Sequence, residues 1–316
     1  MNFVKYLETQ VKKLNTKTIV LIDGQDQRTK EAAEILKKYK NIKTILLTDK
    51  PIKSSELTYL NINDDPAKIA KYVEDYVVIR KGKETKEQAQ VNLQQLPYYA
   101  MMMLHNDEVD AVVGGLNYST ADILRAAFKA IGPKAGVKTI SSLMIMHKGS
   151  ENYIFGDISI NIKPTEDQLV EIAQNTANFA KSLNIEPKVA FLSFSTNFSA
   201  KSDESILVHN ATEKYNSLNQ ENIAIGDVQF DAAFDTKVRA AKYKLPSFEG
   251  RANIFIFPTL DAGNIGYKIA QRLGGFGAIG PIVTGTKKVV NDLSRGSSVD
   301  DVVNTVLISA LQTEAK

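Results

Sequence analysis

Short β-branched runs alternate with amphipathic stretches along most of this chain, and that rhythm restricts its fold more than any other feature. Thr18–Ile22 (TIVLI) reads as a strand, and Gln27–Tyr39 carries Ala32, Ala33, Ile35 and Leu36 on one helical face. Strands follow at Lys43–Leu47 and Leu57–Asn61, and Pro66 opens a helix through Ile69, Val73 and Val77. Helical stretches near Glu84–Gln94 and Pro97–His105 lead to a buried-type strand at Val109–Val113, a helix at Thr120–Ile131 and a strand at Lys138–Met146. Beyond a hydrophilic turn at Lys148–Asn152 come a helix at Pro164–Leu183, apolar strands at Lys188–Phe194 and Ile254–Pro258, and a helix at Ile265–Leu273. A strand at Gly280–Val283 and a helix at Val299–Leu311 close the chain. Strand, helix, strand in repetition predicts parallel sheets with helices on both faces.

At 316 residues the chain is long enough for two such domains or one large α/β unit. We expect residues 1–147 together with 290–316, the last helix folding back, to form one domain, and residues 148–289 the other.

Composition then removes whole classes of function. The 39 basic and 36 acidic residues leave a net charge of +3, too small an excess for the electrostatic footprint of a nucleic-acid binder. Cysteine is absent, which excludes disulfides, thiolate metal sites and cysteine nucleophiles. His105, His147 and His209 are far apart and show no ligand spacing, so no metal is expected, although carboxylates alone suit a hard cation. No run of about 18 apolar residues occurs, and the N-terminus lacks an apolar signal core. We therefore expect a cytoplasmic protein with no membrane partner.

Two glycine strings invite a nucleotide reading and do not support it. Gly275-Phe-Gly277-Ala-Ile-Gly280 matches GxGxxG, but a helix precedes it and a strand follows, the reverse of a dinucleotide site. It reads as a helix-to-strand turn. Gly132–Thr139 has the wrong spacings for a P-loop and is also a turn.

The chemically suggestive stretches lie where α/β proteins keep their sites, between strand ends and helix starts. VVGGLNYSTADILR (112–125) ends a strand, turns on two glycines and starts a helix at Ser119. Ser119 and Asp122 have the spacing of a helix cap, whereas the glycine pair and Arg125 suit an anion. LSFSTNFSAK (192–201) dissolves into hydroxyls and amides, as either an ordinary turn or the wall of a site. NDLSRGSSVDD (291–301) is the sharpest signal: Ser294 and Arg295 precede a turn at Gly296 that leads into a helix. Asp301 fits both a cap on Ser298 and a base beside an arginine-bound phosphate.

Taken with QFDAAF (229–234), RANIFIFPTLDAGNIGYKIAQRL (251–273) and GAIGPIVTG (277–285), these segments resemble the phosphate acetyl/butyryltransferase family over most of the chain. The likeness is most specific in the C-terminal third. It implies two doubly wound α/β domains with a cleft between them, like isocitrate and isopropylmalate dehydrogenases, and a homodimer formed through the second domain. It also implies an acyltransferase that interconverts acetyl-CoA plus phosphate with CoA plus acetyl phosphate. CoA is then a substrate, and no cofactor or metal is required. By the same resemblance Asp301 matches the base on the CoA thiol, Ser294 the donor to the developing oxyanion, and Arg295 the residue holding the phosphate. Arg80, Arg125 and Arg272 match substrate-binding arginines, and Ser119 and Thr120 line the same site. Arginine suits the phosphates of CoA and acetyl phosphate because its planar fork binds oxyanions in pairs of hydrogen bonds.

Two departures stand out. Ser297 occupies a position where many members have cysteine, and Tyr118 replaces a different residue beside the Ser-Thr pair. The second bears on acyl-chain choice and keeps a butyryltransferase open. The residues also leave room for a metal-dependent dehydrogenase of the same fold, and for a non-catalytic protein that binds CoA or an acyl phosphate.

Overall fold

In the computed structural model, which describes residues 2–52, 56–218, 222–243 and 248–314, the chain divides into two compact units. The first comprises Val4–Ala135 and the segment from Thr286 onward; the second comprises Gly136–Gly285 with Asn2 and Phe3. The described strands are β1 (Lys17–Leu21), β2 (Ile42–Thr48), β3 (Tyr59–Asn61), β4 (Ala111–Gly114), β5 (Ser141–Lys148) and β6 (Glu151–Gly156), then β7 (Val189–Leu192), β8 (Ile225–Val228), β9 (Ile254–Ile256), β10 (Gly277–Thr284) and β11 (Val289–Asp292).

The first unit is built on a parallel sheet in the order β11-β4-β1-β2-β3. Ile19 and Val289 flank Ala111 in register, and β4 is buried along its whole length. Burial on both faces is why its sequence is a continuous apolar run rather than an alternation. Helices Pro66–Arg80, Leu96–His105 and Thr120–Ala130 pack Tyr72, Tyr76, Tyr99, Met101 and Ile123 into one core with Val20, Val112 and Val290. The last helix, Val299–Gln312, lies against helix Gln27–Leu36 and against β1, β4 and β11.

The chain runs from β1 to β2 and β3 on one side, and from β4 to β11 on the other. The order therefore reverses between β1 and β4. At such a point the loops leaving the carboxyl ends of neighbouring strands diverge and open a crevice, the usual ligand position in an open α/β sheet.

The second unit holds a mixed sheet in the order β10-β5-β6-β9-β7-β8. β6, β9, β7 and β8 run parallel, whereas β10, β5 and β6 pair antiparallel. This moves the expected boundary from 147/148 to 135/136, and the return from 289/290 to 285/286. The hydrophilic turn at Lys148–Asn152 is not a linker. It is a tight hairpin in which Lys148 pairs with Glu151 across Gly149, itself at φ 60°. β5 thus pairs within the second unit, and β11 joins the first.

Strands β6, β8 and β11 and helix Asp203–Leu218 have no counterpart among the elements read from sequence. β8 (IGDV) carries glycine and aspartate, both poor strand formers, so its buried place in the sheet is set by its neighbours. Gly277 and Gly280 lie inside β10 rather than in a turn; a side chain at Gly277 would collide with the His147 ring across the β5 pairing.

Candidate functional site

Three loops of the first unit leave the carboxyl ends of β1, β4 and β11, and named hydrogen bonds tie them together. The loop after β1 supplies Asp23, Asp26 and Arg28. Asp23 is buried, and its carboxylate accepts from the backbone N–H groups of Gly115 (2.8 Å), Leu116 (3.1 Å) and Asn117 (2.9 Å), and from Asn117 Nδ2 (3.2 Å). The glycine turn read as an anion site therefore spends its amides on an internal carboxylate. Gly115 sits at φ +131°, and a side chain there would collide with Asp292 Oδ1 and the Leu293 carbonyl.

Asp26 caps helix Gln27–Leu36 through the Arg28 N–H and forms a forked pair with the Arg28 guanidinium, Nε to Oδ1 at 3.0 Å and Nη2 to Oδ2 at 2.9 Å. That pairing holds the Asp26 carboxyl below its usual range and raises Arg28. Arg28 Nη1 then donates to the carbonyl oxygens of Arg295 (2.8 Å) and Ser297 (3.0 Å).

The Ser294–Ser298 turn is further closed on itself. Ser297 N donates to the Ser294 carbonyl (2.9 Å), Ser294 N to Ser297 Oγ (3.1 Å), and Gly296 N to Ser294 Oγ (3.3 Å). Ser294 and Arg295 are exposed, and the Arg295 guanidinium makes no hydrogen bond or ion pair among the described residues. The turn delivers Ser298 as cap of the last helix: Asp301 N donates to Ser298 Oγ (3.2 Å), and Ser298 N donates to Asp301 Oδ2 (2.8 Å). Both readings of Asp301 coexist, since the cap occupies Oδ2 and leaves Oδ1 without a partner among the described residues.

The loop after β4 places Ser119 and Thr120 at the start of helix Thr120–Ala130. Ser119 donates to Asp122 Oδ2 (2.6 Å) and accepts from Asp122 N, so capping engages its hydroxyl. Thr120 Oγ1 lies 2.5 Å from Asp292 Oδ2, at the end of β11. Arg125, half exposed, donates to Asp122 Oδ1 (2.8 Å). Ser119 first and Arg125 second hold Asp122 below the ordinary carboxylate range. Tyr118 packs against the core, and burial pushes its hydroxyl up to about 12.

The remaining expected residues lie elsewhere. Arg80 ends helix Pro66–Arg80, with Nη1 3.4 Å from the Lys129 carbonyl and Nε 3.8 Å from Glu84. Lys129 is nine residues beyond Thr120 on its helix, roughly 14 Å along the axis, so Arg80 is not a neighbour of the Ser294 turn. Arg272 is exposed at the end of helix Leu260–Arg272 in the second unit. In that unit the 192–201 loop folds on its own hydroxyls, Ala200 N donating to Ser195 Oγ and Thr196 N to Ser199 Oγ. Among the described residues no cluster of three metal-ligating side chains occurs, and no helix is long and apolar enough to cross a membrane.

Asp23, Arg28 and Asp292 are the residues that sequence reasoning missed. The available signal was DGQDQR directly after an apolar strand, charge where a buried strand reaches its carboxyl end.

Residues 2–310 match the family model described as Phosphate acetyl/butaryl transferase. This chain belongs to that family. Phosphate acetyltransferase of Mycoplasma capricolum is 44% identical over 283 residues, covering 89% of this chain and 83% of that one. The Bacillus subtilis phosphate acetyltransferase is 43% identical over 303 residues, 93% and 94% of the two chains. Among solved structures, a phosphotransacetylase from Streptococcus pyogenes superposes with a TM-score of 0.91 at 39% identity, over 99% of both chains. The family's sequence likeness thus extends across both units of the fold, with the Ser294–Asp301 turn inside the matched span.

Proposed function

We propose that this member of the family is a phosphate acetyltransferase, interconverting acetyl-CoA plus phosphate with CoA plus acetyl phosphate. The observation that carries the reading is the state of Arg295. Its backbone is held by Arg28, its guanidinium is unpaired among the described residues, and it stands three residues before the Ser298 cap of the helix that carries Asp301. A fixed turn presenting an unpaired guanidinium suits a phosphoryl dianion.

In the direction of acetyl-CoA synthesis, Asp301 takes the proton of the CoA thiol, whose ordinary pKa of ~8.5 leaves it mostly protonated at neutral pH. The thiolate attacks the carbonyl carbon of acetyl phosphate. The C–S bond forms, the carbonyl oxygen gains negative charge, and the C–O bond then breaks as phosphate departs with the electron pair. Ser294 accepts from Gly296 N and keeps its hydroxyl hydrogen for the developing oxyanion, a contact typically contributing ~10²–10³ in rate. Arg295 holds the phosphate throughout. Arg125 contributes positive charge in the first turns of helix Thr120–Ala130, where it pairs with Asp122. Arg80, remote from the turn, is assigned to the phosphates of CoA, which the pantetheine arm separates from the thiol. CoA, acetyl-CoA, acetyl phosphate and inorganic phosphate are the partners, and no cofactor is assigned.

We assign a homodimer to the exposed face of helix Leu260–Arg272. Ile265, Ile269 and Leu273 recur there every four residues, with Leu273 86% exposed. The double variant Ser294→Ala/Asp301→Asn tests the catalytic assignment. It is expected to bind CoA by calorimetry with little change and to lose thioester formation. Loss of CoA binding in a folded variant, or retention of turnover, contradicts it.

A further inference from the structure

Asp292 has no role in the mechanism above, yet it occupies the centre of the three-loop cluster. Its side chain is 1% exposed, at the carboxyl end of β11 and two residues before Ser294. Oδ2 is engaged by Thr120 Oγ1, whereas Oδ1 is buried against Gly115 with no hydrogen-bond partner. An ionised carboxylate in that position leaves half its charge unpaired in a dry environment, which is expensive. A neutral acid with its proton on Oδ2 leaves only a carbonyl oxygen unpaired, and its O–H points at Thr120.

The charged groups on the surrounding elements do not rescue the ionised form. Asp23, after β1, is the charge that acts on Asp292, and it repels. Asp26 and Arg28 are paired with each other, Arg125 with Asp122, and the Arg295 guanidinium projects from an exposed turn. Burial first, and Asp23 in addition, push the Asp292 carboxyl up to about 7, against the lowering effect of Thr120.

The protonation state decides where the Thr120 hydroxyl hydrogen points. When Asp292 is ionised, Thr120 must donate to it. When Asp292 is neutral, Asp292 donates to Thr120 Oγ1, and the threonine hydrogen is freed for another acceptor. We propose that neutral Asp292 is a positioning residue that turns the Thr120 hydroxyl into a donor for a phosphoryl oxygen of the bound substrate. This deepens the acetyltransferase reading and rests on it for the identity of the substrate. A dianion arriving beside Asp292 further favours the neutral form, so substrate binding and proton retention reinforce each other.

The test compares wild type, Asp292→Asn and Thr120→Val between pH 6 and pH 9, each checked for folding by circular dichroism. Two readouts are used: binding of inorganic phosphate by calorimetry, and KM for acetyl phosphate set against kcat. Phosphate itself titrates in this range, so the informative quantity is the difference between wild type and variant. Asparagine donates to Thr120 at every pH. The Asp292→Asn enzyme is therefore expected to show a modest loss, about threefold, at pH 6, and a wild-type-to-variant affinity ratio that falls about tenfold by pH 8.5 as wild type ionises. Thr120→Val is expected to weaken phosphate binding and raise KM for acetyl phosphate more than KM for CoA, with the pH dependence removed. An affinity ratio that stays constant with pH, or a Thr120→Val enzyme whose pH dependence equals wild type, overturns the proposal. Because phosphate binding needs no turnover, it decides the role of Asp292 even where acetyl transfer is not detected. Failure of the enzyme reading is then seen separately, as absent thioester formation.

Discussion

Arg28 and Arg295 are 267 residues apart in sequence and joined by a single hydrogen bond of 2.8 Å, from the guanidinium of the first to the carbonyl of the second. The bond has a directional consequence. One arginine, neutralised by Asp26, fixes the backbone of another whose own guanidinium is left unpaired for a ligand. Replacing Arg28 with alanine frees the Ser294–Ser298 turn and is expected to lower kcat on the order of 10²-fold, the usual penalty for displacing a catalytic group by about an ångström. Lysine retains the charge without the fork that spans Asp26 and both carbonyls, so Arg28→Lys is expected to recover only part of the loss. Steady-state kinetics with both variants measure this.

Asp301 carries two duties that substitution separates. Asparagine can still accept from Ser298 N and preserve the cap, so Asp301→Asn is expected to keep thermal stability close to wild type and lose ~10²–10⁴ in kcat. Alanine removes the base and the cap together, and is expected to cost a further ~1 kcal/mol of stability. Denaturant unfolding alongside thioester assays distinguishes the two.

Gly115 is confined from both sides, by the Asp23 hydrogen bond to its N–H and by the Asp292 carboxyl against its Cα. At φ +131° alanine is strained even before the collision with Asp292. Gly115→Ala is expected to destabilise the protein by roughly 1–3 kcal/mol or more and to weaken phosphate binding as the Thr120 contact shifts. Urea unfolding and phosphate calorimetry check the two effects.

Asp292 also makes stability depend on pH with a defined sign. The folded protein holds its proton up to about pH 7, whereas the unfolded chain releases it near the ordinary value of 3.8. Between those limits the native state binds more protons, so this residue's contribution to stability falls as pH rises from about 4 to about 7 and is flat above. The span corresponds to something on the order of 4 kcal/mol. Asp292→Asn removes it, and the stability difference between variant and wild type is expected to grow in the variant's favour from pH 5 to pH 8 in urea titrations.

The first unit was legible wherever the signal is local. TIVLI and AVVGG are apolar because β1 and β4 are buried on both faces, and Ser298 with Asp301 caps the last helix as its spacing indicates. What escaped is long-range. Asp23 finds its donors 92 to 94 residues away, and no pattern within a window of sequence predicts that the glycine-turn amides are already filled. Arg80 shows the same range: the family resemblance marks it as substrate-binding, and only the fold reveals that it lies beside Glu84 and the end of the Lys129 helix, away from the Ser294 turn. The domain boundary was misplaced for a physical reason of another kind. Lys148–Asn152 is polar because it is a hairpin tip, and hairpin tips and linkers share a composition.

The most direct measurement is the formation of thioester from acetyl phosphate and CoA, followed by ultraviolet absorbance without added metal or nucleotide, with butyryl phosphate in parallel. The expected result is rapid transfer from acetyl phosphate, slower transfer from butyryl phosphate, and loss of both in Ser294→Ala/Asp301→Asn. Absence of transfer from either donor by the folded wild-type protein contradicts the acetyltransferase assignment.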